Sequence, residues 1–181
     1  VAIGDNAVAS SLGIGIGAYA SGTGVGSFAL GTAALASGNT SIAVGRQSAA
    51  TGNYSIAQGN VAYAQGVNSI AMGNSAFASS AGAIAIGATN TSDSYSATGQ
   101  TLANAVNAIA FGANASANAD ATNGVAIGAN SRAQGDSAVA LGNGATATAK
   151  SVAIGNAGAG NEGVALGVGN PWRYAGIARS L

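Results

Sequence analysis

The sequence is poor in the residues on which many sites and scaffolds depend. It has no cysteine, no histidine and one proline, and only 6% of its residues are charged, against about 25% in typical globular chains. The missing cysteine excludes a disulfide framework and cysteine-ligated metals. Five acidic and five basic side chains give zero net charge and lie scattered singly. We therefore expect no metal site, no cofactor, and no binding to nucleic acid or to an anionic membrane surface.

Long apolar runs are also missing. No stretch reaches the roughly 18 apolar residues that a membrane helix needs, and no signal peptide opens the chain. Val1 stands in the middle of the repeat described below. We expect the chain to be a segment of a longer protein, with any membrane anchor outside it and no membrane insertion by the segment itself.

What the chain has in abundance is glycine at a fixed spacing. The tetrapeptides 42–45, 56–59, 70–73 and 84–87 are near-identical, and their glycines lie 14 residues apart. A fixed short period indicates stacked repeats, and it suggests a function spread along a rod instead of one pocket. The glycines of this series, here called anchor glycines, are Gly4, Gly17, Gly31, Gly45, Gly59, Gly73, Gly87, Gly112, Gly128, Gly142, Gly155 and Gly167.

The segment from Gly59 to Gly73 shows the pattern within one repeat, counted from the anchor glycine. Positions 3, 5 and 12 are small, position 7 is glycine, and positions 11 and 13 are aliphatic. Alternation with period two is typical of strands, and glycine permits turn conformations that other residues avoid. Two strands of about five residues and two tight turns predict an all-β fold, a parallel β-solenoid with one repeat of about 14 residues per coil. Twelve coils, about 4.8 Å apart, would form a rod on the order of 55 Å long.

The large aliphatic residues predict self-association. If the small side chains at positions 3, 5 and 12 fill the narrow interior, positions 11 and 13 must point out of the coil, where they form what we call the aliphatic ladder. The ladder far exceeds the few-hundred-Å² apolar patch that monomers expose, and burying each side chain is worth roughly 1.5–3 kcal/mol. We expect an obligate, parallel, in-register oligomer, and the residues alone do not choose between a dimer and a trimer. The predicted interface residues are Ile42, Val44, Ile56, Gln58, Ile70, Met72, Ile84, Ile86, Ile109, Phe111, Val125, Ile127, Val139, Leu141, Val152 and Ile154.

The repeat resembles that of a known family. Segments 68–73 (Asn-Ser-Ile-Ala-Met-Gly) and 136–142 (Asp-Ser-Ala-Val-Ala-Leu-Gly) closely resemble the head repeat of the YadA-like trimeric autotransporter adhesins, roughly Asn-Ser-Val-Ala-Ile-Gly-x-x-Ser/Ala. The match recurs from Val1 to about Gly167. The resemblance implies a left-handed parallel β-roll assembled as a homotrimer. It also implies display on the outer membrane of a Gram-negative bacterium and attachment to host extracellular matrix or host cells.

Two parts of the chain depart from the repeat. The step from Gly87 to Gly112 is 25 residues long, so we expect an insertion loop at about 88–107, whose later part, 102–106, tolerates a helix. Residues 168–181 hold the single proline and the single tryptophan, and they match the family's neck motif poorly. We expect a cap or a transition toward a neck and stalk there, with Trp172 covering the last coil. The head is predicted to span 1–167.

Four side chains are candidates for a ligand-binding surface: Tyr63, Phe77, Tyr95 and Arg132. Aromatic and arginine side chains are favoured anchors of interfaces, although single exposed aromatics are also common on protein surfaces. Gln58 interrupts the aliphatic ladder with an amide. Its symmetry copies would either ring a water or an anion, or form a slightly wet layer without function.

Other function classes fit the sequence less well. Left-handed β-solenoid acyltransferases use hexapeptide periods and typically a histidine base, and this chain has neither. Ice-binding solenoids present flat rows of threonine, and here only 146–148 suggests such a row. We therefore expect a non-catalytic adhesin head. A spacer rod, which holds a binding region away from the cell, stays open as the alternative.

Overall fold

The chain winds into a narrow parallel β-solenoid. The computed structural model describes residues 1–10, 12–88 and 100–167. Within these residues each coil gives one strand to a first sheet of twelve strands and one strand to a second sheet of eleven. All strand pairs are parallel and join one coil to the next, as where Ile70 pairs with Ile56 on one side and with Ile84 on the other. The predicted solenoid with one 14-residue repeat per coil is confirmed.

The strands of the two sheets alternate along the chain. The first sheet contains Ala2–Ile3, Ile14–Ile16, Phe28–Leu30, Ile42–Val44, Ile56–Gln58, Ile70–Met72, Ile84–Ile86, Ile109–Phe111, Val125–Ile127, Val139–Leu141, Val152–Ile154 and Val164–Leu166. The second sheet contains Val8–Ala9, Ser21–Gly22, Leu35–Ala36, Ala49–Ala50, Tyr63–Ala64, Phe77–Ala78, Leu102–Ala103, Ser116–Ala117, Arg132–Ala133, Thr146–Ala147 and Gly158–Ala159. No helix of the described residues is long and apolar enough to cross a membrane.

The strands are shorter than the five residues expected from the sequence, because the turns use more of each coil. Each regular coil passes twice through the left-handed region, two and nine positions after the anchor glycine. After Gly31 these residues are Ala33 (φ 54°) and Thr40 (φ 53°). Gly31 itself has φ 131°, a conformation that L-residues rarely adopt.

The glycine at position 7 has a different role from the one expected. Gly38 is not in the left-handed region, but a Cβ atom there would overlap the carbonyl oxygen of Gly52 in the next coil. The same contact recurs between Gly52 and Gly66. Position 7 is therefore glycine because adjacent coils approach closely there, and not because the turn needs a positive φ.

The interior of the coil is built from alanine. Ala34, Ala36 and Ala43, at positions 3, 5 and 12 of one coil, are all fully buried. The prediction that small side chains fill the interior is confirmed. A two-layer coil of three-residue and two-residue strands leaves no width for larger side chains, so each coil buries little apolar surface of its own.

Serine at position 10 also points inward, which the sequence analysis did not anticipate. Ser55 Oγ donates to the carbonyl oxygen of Gly52 at 2.7 Å. At position 3 of another coil, Ser131 Oγ makes the equivalent bond in the first turn, to the carbonyl oxygen of Gly128 at 2.8 Å. The hydroxyls of Ser27, Ser41 and Ser69 are buried with no hydrogen-bond partner in the described part of the chain. The hydroxyl thus closes the second turn in some coils and only fills space in others.

The insertion is narrower than the expected 88–107. Leu102–Ala103 pairs with Phe77–Ala78 on one side and with Ser116–Ala117 on the other, so the segment expected to tolerate a helix begins with a regular strand and continues into a turn. Its register follows from its alternation, since Leu102 points outward and Ala103 is buried. Residues 89–99, with Tyr95, and residues 168–181, with Trp172, lie outside the described residues.

Candidate functional site

The outer face of the first sheet carries the aliphatic ladder. Every predicted interface residue is half-buried or exposed in the single chain, and Phe111 is 51% exposed. The alanine between each pair of ladder residues, such as Ala71 between Ile70 and Met72, is fully buried. Ladder residues of successive coils pair directly, so the ladder is a continuous apolar strip along the described rod.

Gln58 is the polar exception in this strip. It stands between Val44 and Met72 in the neighbouring coils, and its side chain is exposed. Its amide can donate and accept hydrogen bonds.

The outer face of the second sheet differs in character. Position 4 points outward there, and its residues in five successive coils form a run that we call the apolar stripe. Within it the rings of Tyr63 and Phe77 pack with centroids 6.2 Å apart and planes tilted by 56°, an arrangement favoured between aromatic rings. The members of the apolar stripe are Leu35, Ala49, Tyr63, Phe77 and Leu102.

Beyond the apolar stripe the same face becomes polar. The next residues at position 4 are Ser116, Arg132 and Thr146, of which Arg132 is exposed. A shallow groove with a volume of about 170 Å³ opens between Leu102 and Arg132. The structure therefore brings Tyr63 and Phe77 together and places Arg132 on the same face, several coils away.

Asparagine side chains link coils along the turns. Asn114 Nδ2 donates to Asn130 Oδ1 at 2.8 Å, and Asn60 Nδ2 donates to the Oδ1 of Asn74 at 3.0 Å. The backbone N–H of Asn39 donates to Asn53 Oδ1 in the next coil. These bonds hold the turns in register. Their sequence signal is asparagine recurring at equal positions of neighbouring repeats.

Among residues 1–10, 12–88 and 100–167 no three histidine, cysteine, aspartate or glutamate side chains lie close enough together to hold a metal ion. The groove is not evident from the sequence, because its walls come from three coils whose spacing is irregular.

Comparison with known proteins agrees with this architecture. The sequence matches the family model of the YadA head domain repeat (two copies) in seven overlapping segments, which are 23–48, 36–62, 50–76, 64–90, 103–131, 119–145 and 133–157. No curated protein matched the chain.

Among solved structures, the collagen-binding domain of the Yersinia adhesin YadA is similar, at 27% identity and a TM-score of 0.47. The match covers 71% of this chain and spans 62% of that domain. The segments that match the family model span more than half of the 181 residues. The chain therefore belongs to the family of YadA head domain repeats.

Proposed function

We propose that this chain is the head of a bacterial surface adhesin, which attaches a Gram-negative bacterium to host extracellular matrix or host cells and has no catalytic role. Its family membership supports this function. The observation that carries it is the apolar stripe, whose larger side chains lie half-buried on the outer face of the second sheet. Half-buried aromatic and aliphatic side chains in a row suit an extended partner, since many weak contacts then add up.

We propose further that three chains assemble in parallel, that their coils wind left-handed, and that the aliphatic ladders face one another around the threefold axis. The exposure of the ladder supports an assembly, because an apolar strip of this length is unfavourable in water. The alanine interior supports it too, since one coil buries little apolar surface alone. In such an assembly the second sheet stays accessible. We propose that this head spans 1–167.

A binding assay tests the adhesin function. The purified chain would be passed over surfaces coated with collagen or with fibronectin, beside a variant carrying Tyr63→Ser and Phe77→Ser. We expect the wild type to bind a matrix protein and the variant to bind at least about tenfold more weakly, because interface hot spots contribute about 2 kcal/mol or more each.

The matched control changes two residues of the same face outside the apolar stripe, Thr146→Ser and Thr148→Ser, and should bind like the wild type. Circular dichroism must show that all variants are folded. Equal binding by all variants would remove the apolar stripe as the adhesive surface. A folded wild type that binds neither matrix protein nor host cells would favour the spacer rod.

A further inference from the structure

The groove on the second sheet results from a small residue between two large ones. At position 4 of three successive coils the residues are Leu102, Ser116 and Arg132. With coils about 4.8 Å apart, Leu102 and Arg132 stand about 10 Å from each other. Ser116 between them forms the floor of a space of about 170 Å³. This volume is well below the about 300–1,000 Å³ of pockets for drug-sized ligands, so one small ring is the largest group that fits.

Amide side chains line both flanks of this groove. On one flank Asn114 is fixed by its hydrogen bond to Asn130, at 2.8 Å. On the other flank Asn118 Oδ1 accepts a hydrogen bond from Ser116 Oγ at 2.9 Å. Gln134 extends this second flank into the next coil. The groove thus presents several amide donors and acceptors on a partly fixed frame.

The charge of the groove is positive. Arg132 is the one charged residue that lines it, and the guanidinium has no ion-pair or hydrogen-bond partner among the residues that the structure describes. A guanidinium binds a carboxylate in a planar, two-bonded arrangement. A ligand of this groove therefore has one negative charge at the Arg132 end.

The other residues that line the groove determine which further chemical groups the ligand carries. Leu102 offers an apolar surface to a ring face, and the amides match several hydroxyl groups. Nucleic acid is a poor fit, since its recognition uses several cations and stacking aromatics, whereas this groove has one cation and no aromatic lining. We propose that the groove binds a carboxylate-bearing sugar residue of a glycan. This site requires neither the matrix adhesion nor the assembly proposed above.

Two variants test the site in different ways. Arg132→Gln removes the charge, whereas Ser116→Leu fills the floor and leaves Arg132 in place. Each has a control with the same substitution elsewhere: Arg46→Gln removes a half-buried cation of another coil, and Ser21→Leu changes position 4 of a coil far from the groove. Leucine occurs naturally at this position, as Leu35 and Leu102, so both leucine variants should fold.

Binding would be measured by biolayer interferometry on four immobilised polymers: a uronic-acid polysaccharide, neutral dextran, dextran sulfate and the polypeptide polyglutamate. We expect binding to the uronic-acid polymer alone. Both groove variants should bind at least about tenfold more weakly, Arg132→Gln because a charged hydrogen bond is lost and Ser116→Leu because the ring no longer fits the groove. Both controls should bind like the wild type.

Three results would overturn the proposal: no binding to the uronic-acid polymer, unchanged binding by Ser116→Leu, or equal binding to dextran sulfate or polyglutamate. Binding to collagen and fibronectin would be measured on the same samples. If the wild type keeps matrix binding but does not bind the uronic-acid polymer, the groove proposal fails and the adhesin function stands. The reverse result would refute matrix adhesion and keep the groove.

Discussion

At the scale of single residues, the coil depends on backbone conformations that most side chains disfavour. Positions 2 and 9 are left-handed in the regular coils, yet few of the residues there are glycine. Asparagine occupies several of them, as at Asn68 (φ 58°) and Asn130 (φ 57°), and it tolerates this region better than most residues. Asn130 thus serves both the backbone conformation and a bond between coils, since its Oδ1 accepts from Asn114 Nδ2.

The anchor glycines should not tolerate a side chain. We expect Gly31→Ala to lower the free energy of unfolding by more than about 3 kcal/mol or to prevent folding, because strain at such a φ costs about 1–3 kcal/mol before any steric overlap is counted. A Cβ at this position would also lie 2.6 Å from the carbonyl oxygen of Gly45. Thermal unfolding followed by circular dichroism measures the effect.

Gly160→Ala is the control for this substitution. A Cβ at Gly160 would meet no atom within 4 Å, and this residue has no positive φ. Its stability should stay within about 1 kcal/mol of the wild type, as is usual for surface changes. If Gly31→Ala melts at the wild-type temperature, the backbone at the anchor glycine is not as described.

A β-branched residue in the left-handed region should be open to improvement. Thr40 (φ 53°) is exposed, and the equivalent residues of other coils are Asn68 and Asn107. We expect Thr40→Asn to stabilise the chain by about 1 kcal/mol, because left-handed conformation costs most L-residues roughly 1–2 kcal/mol and asparagine less. For a chain of this size that is a rise of about 2–4 °C in melting temperature.

The reverse exchange, Asn68→Thr, serves as its counterpart and should lower the melting temperature by a similar amount. If both exchanges shift the melting temperature in the same direction, the difference between the two residues does not lie in this backbone region.

At the scale of the coil, the sequence correctly predicted which strand residues face inward and which face outward, but not how many residues the turns occupy. The two-residue period places Ala62 inside and Tyr63 outside, and the structure has them so. The predicted strand lengths were wrong. A left-handed residue at position 2 or 9 belongs to a turn, so each strand is shorter than the alternation of small and large side chains suggests. The inward serine follows from the same pleat, since position 10 precedes the outward position 11.

The narrow interior predicts opposite effects for the same substitution at adjacent residues. Ala50 is fully buried inside the coil, whereas Ala49 points outward and is buried, at 7% exposure, between Leu35 and Tyr63 of the apolar stripe. Ala50→Leu should destabilise the chain by about 3 kcal/mol or more, at or above the usual range for overpacking. Ala49→Leu should change stability by less than about 1 kcal/mol, because it adds a cross-strand contact.

Chemical denaturation of the two variants distinguishes these outcomes. Equal losses of stability in both would mean that the face of this strand is assigned incorrectly. A stable Ala50→Leu would mean that the coil has more internal space than a core of alanine indicates.

At the scale of the whole molecule, the sequence predicts the rod but not the features that several coils make together. The ladder is visible in the sequence because every coil repeats it. The groove depends on one serine between Leu102 and Arg132, which are 30 residues apart and belong to coils of unequal length. The apolar stripe is equally difficult to predict from the sequence, since Leu102 pairs with Phe77 only across the insertion.

The assembly proposed for the head would bury the outer face of the first sheet and leave that of the second sheet in solvent. A variant with Ile70→Ser and Ile84→Ser removes two adjacent side chains from the aliphatic ladder. We expect it to dissociate or unfold the assembly, since each chain would lose the burial of two large side chains, roughly 3–6 kcal/mol. Light scattering after size exclusion should give a mass near three times 16.8 kDa for the wild type.

The variant with Tyr63→Ser and Phe77→Ser is the matched control, because it removes two adjacent apolar side chains from the opposite face. It should keep the trimeric mass, since the second sheet would face solvent in the proposed assembly. A stable, folded monomer from the wild-type chain would refute the assembly. A folded monomer from the ladder variant would show that the alanine interior suffices to hold the coil, so that the ladder serves association alone and is not required for folding.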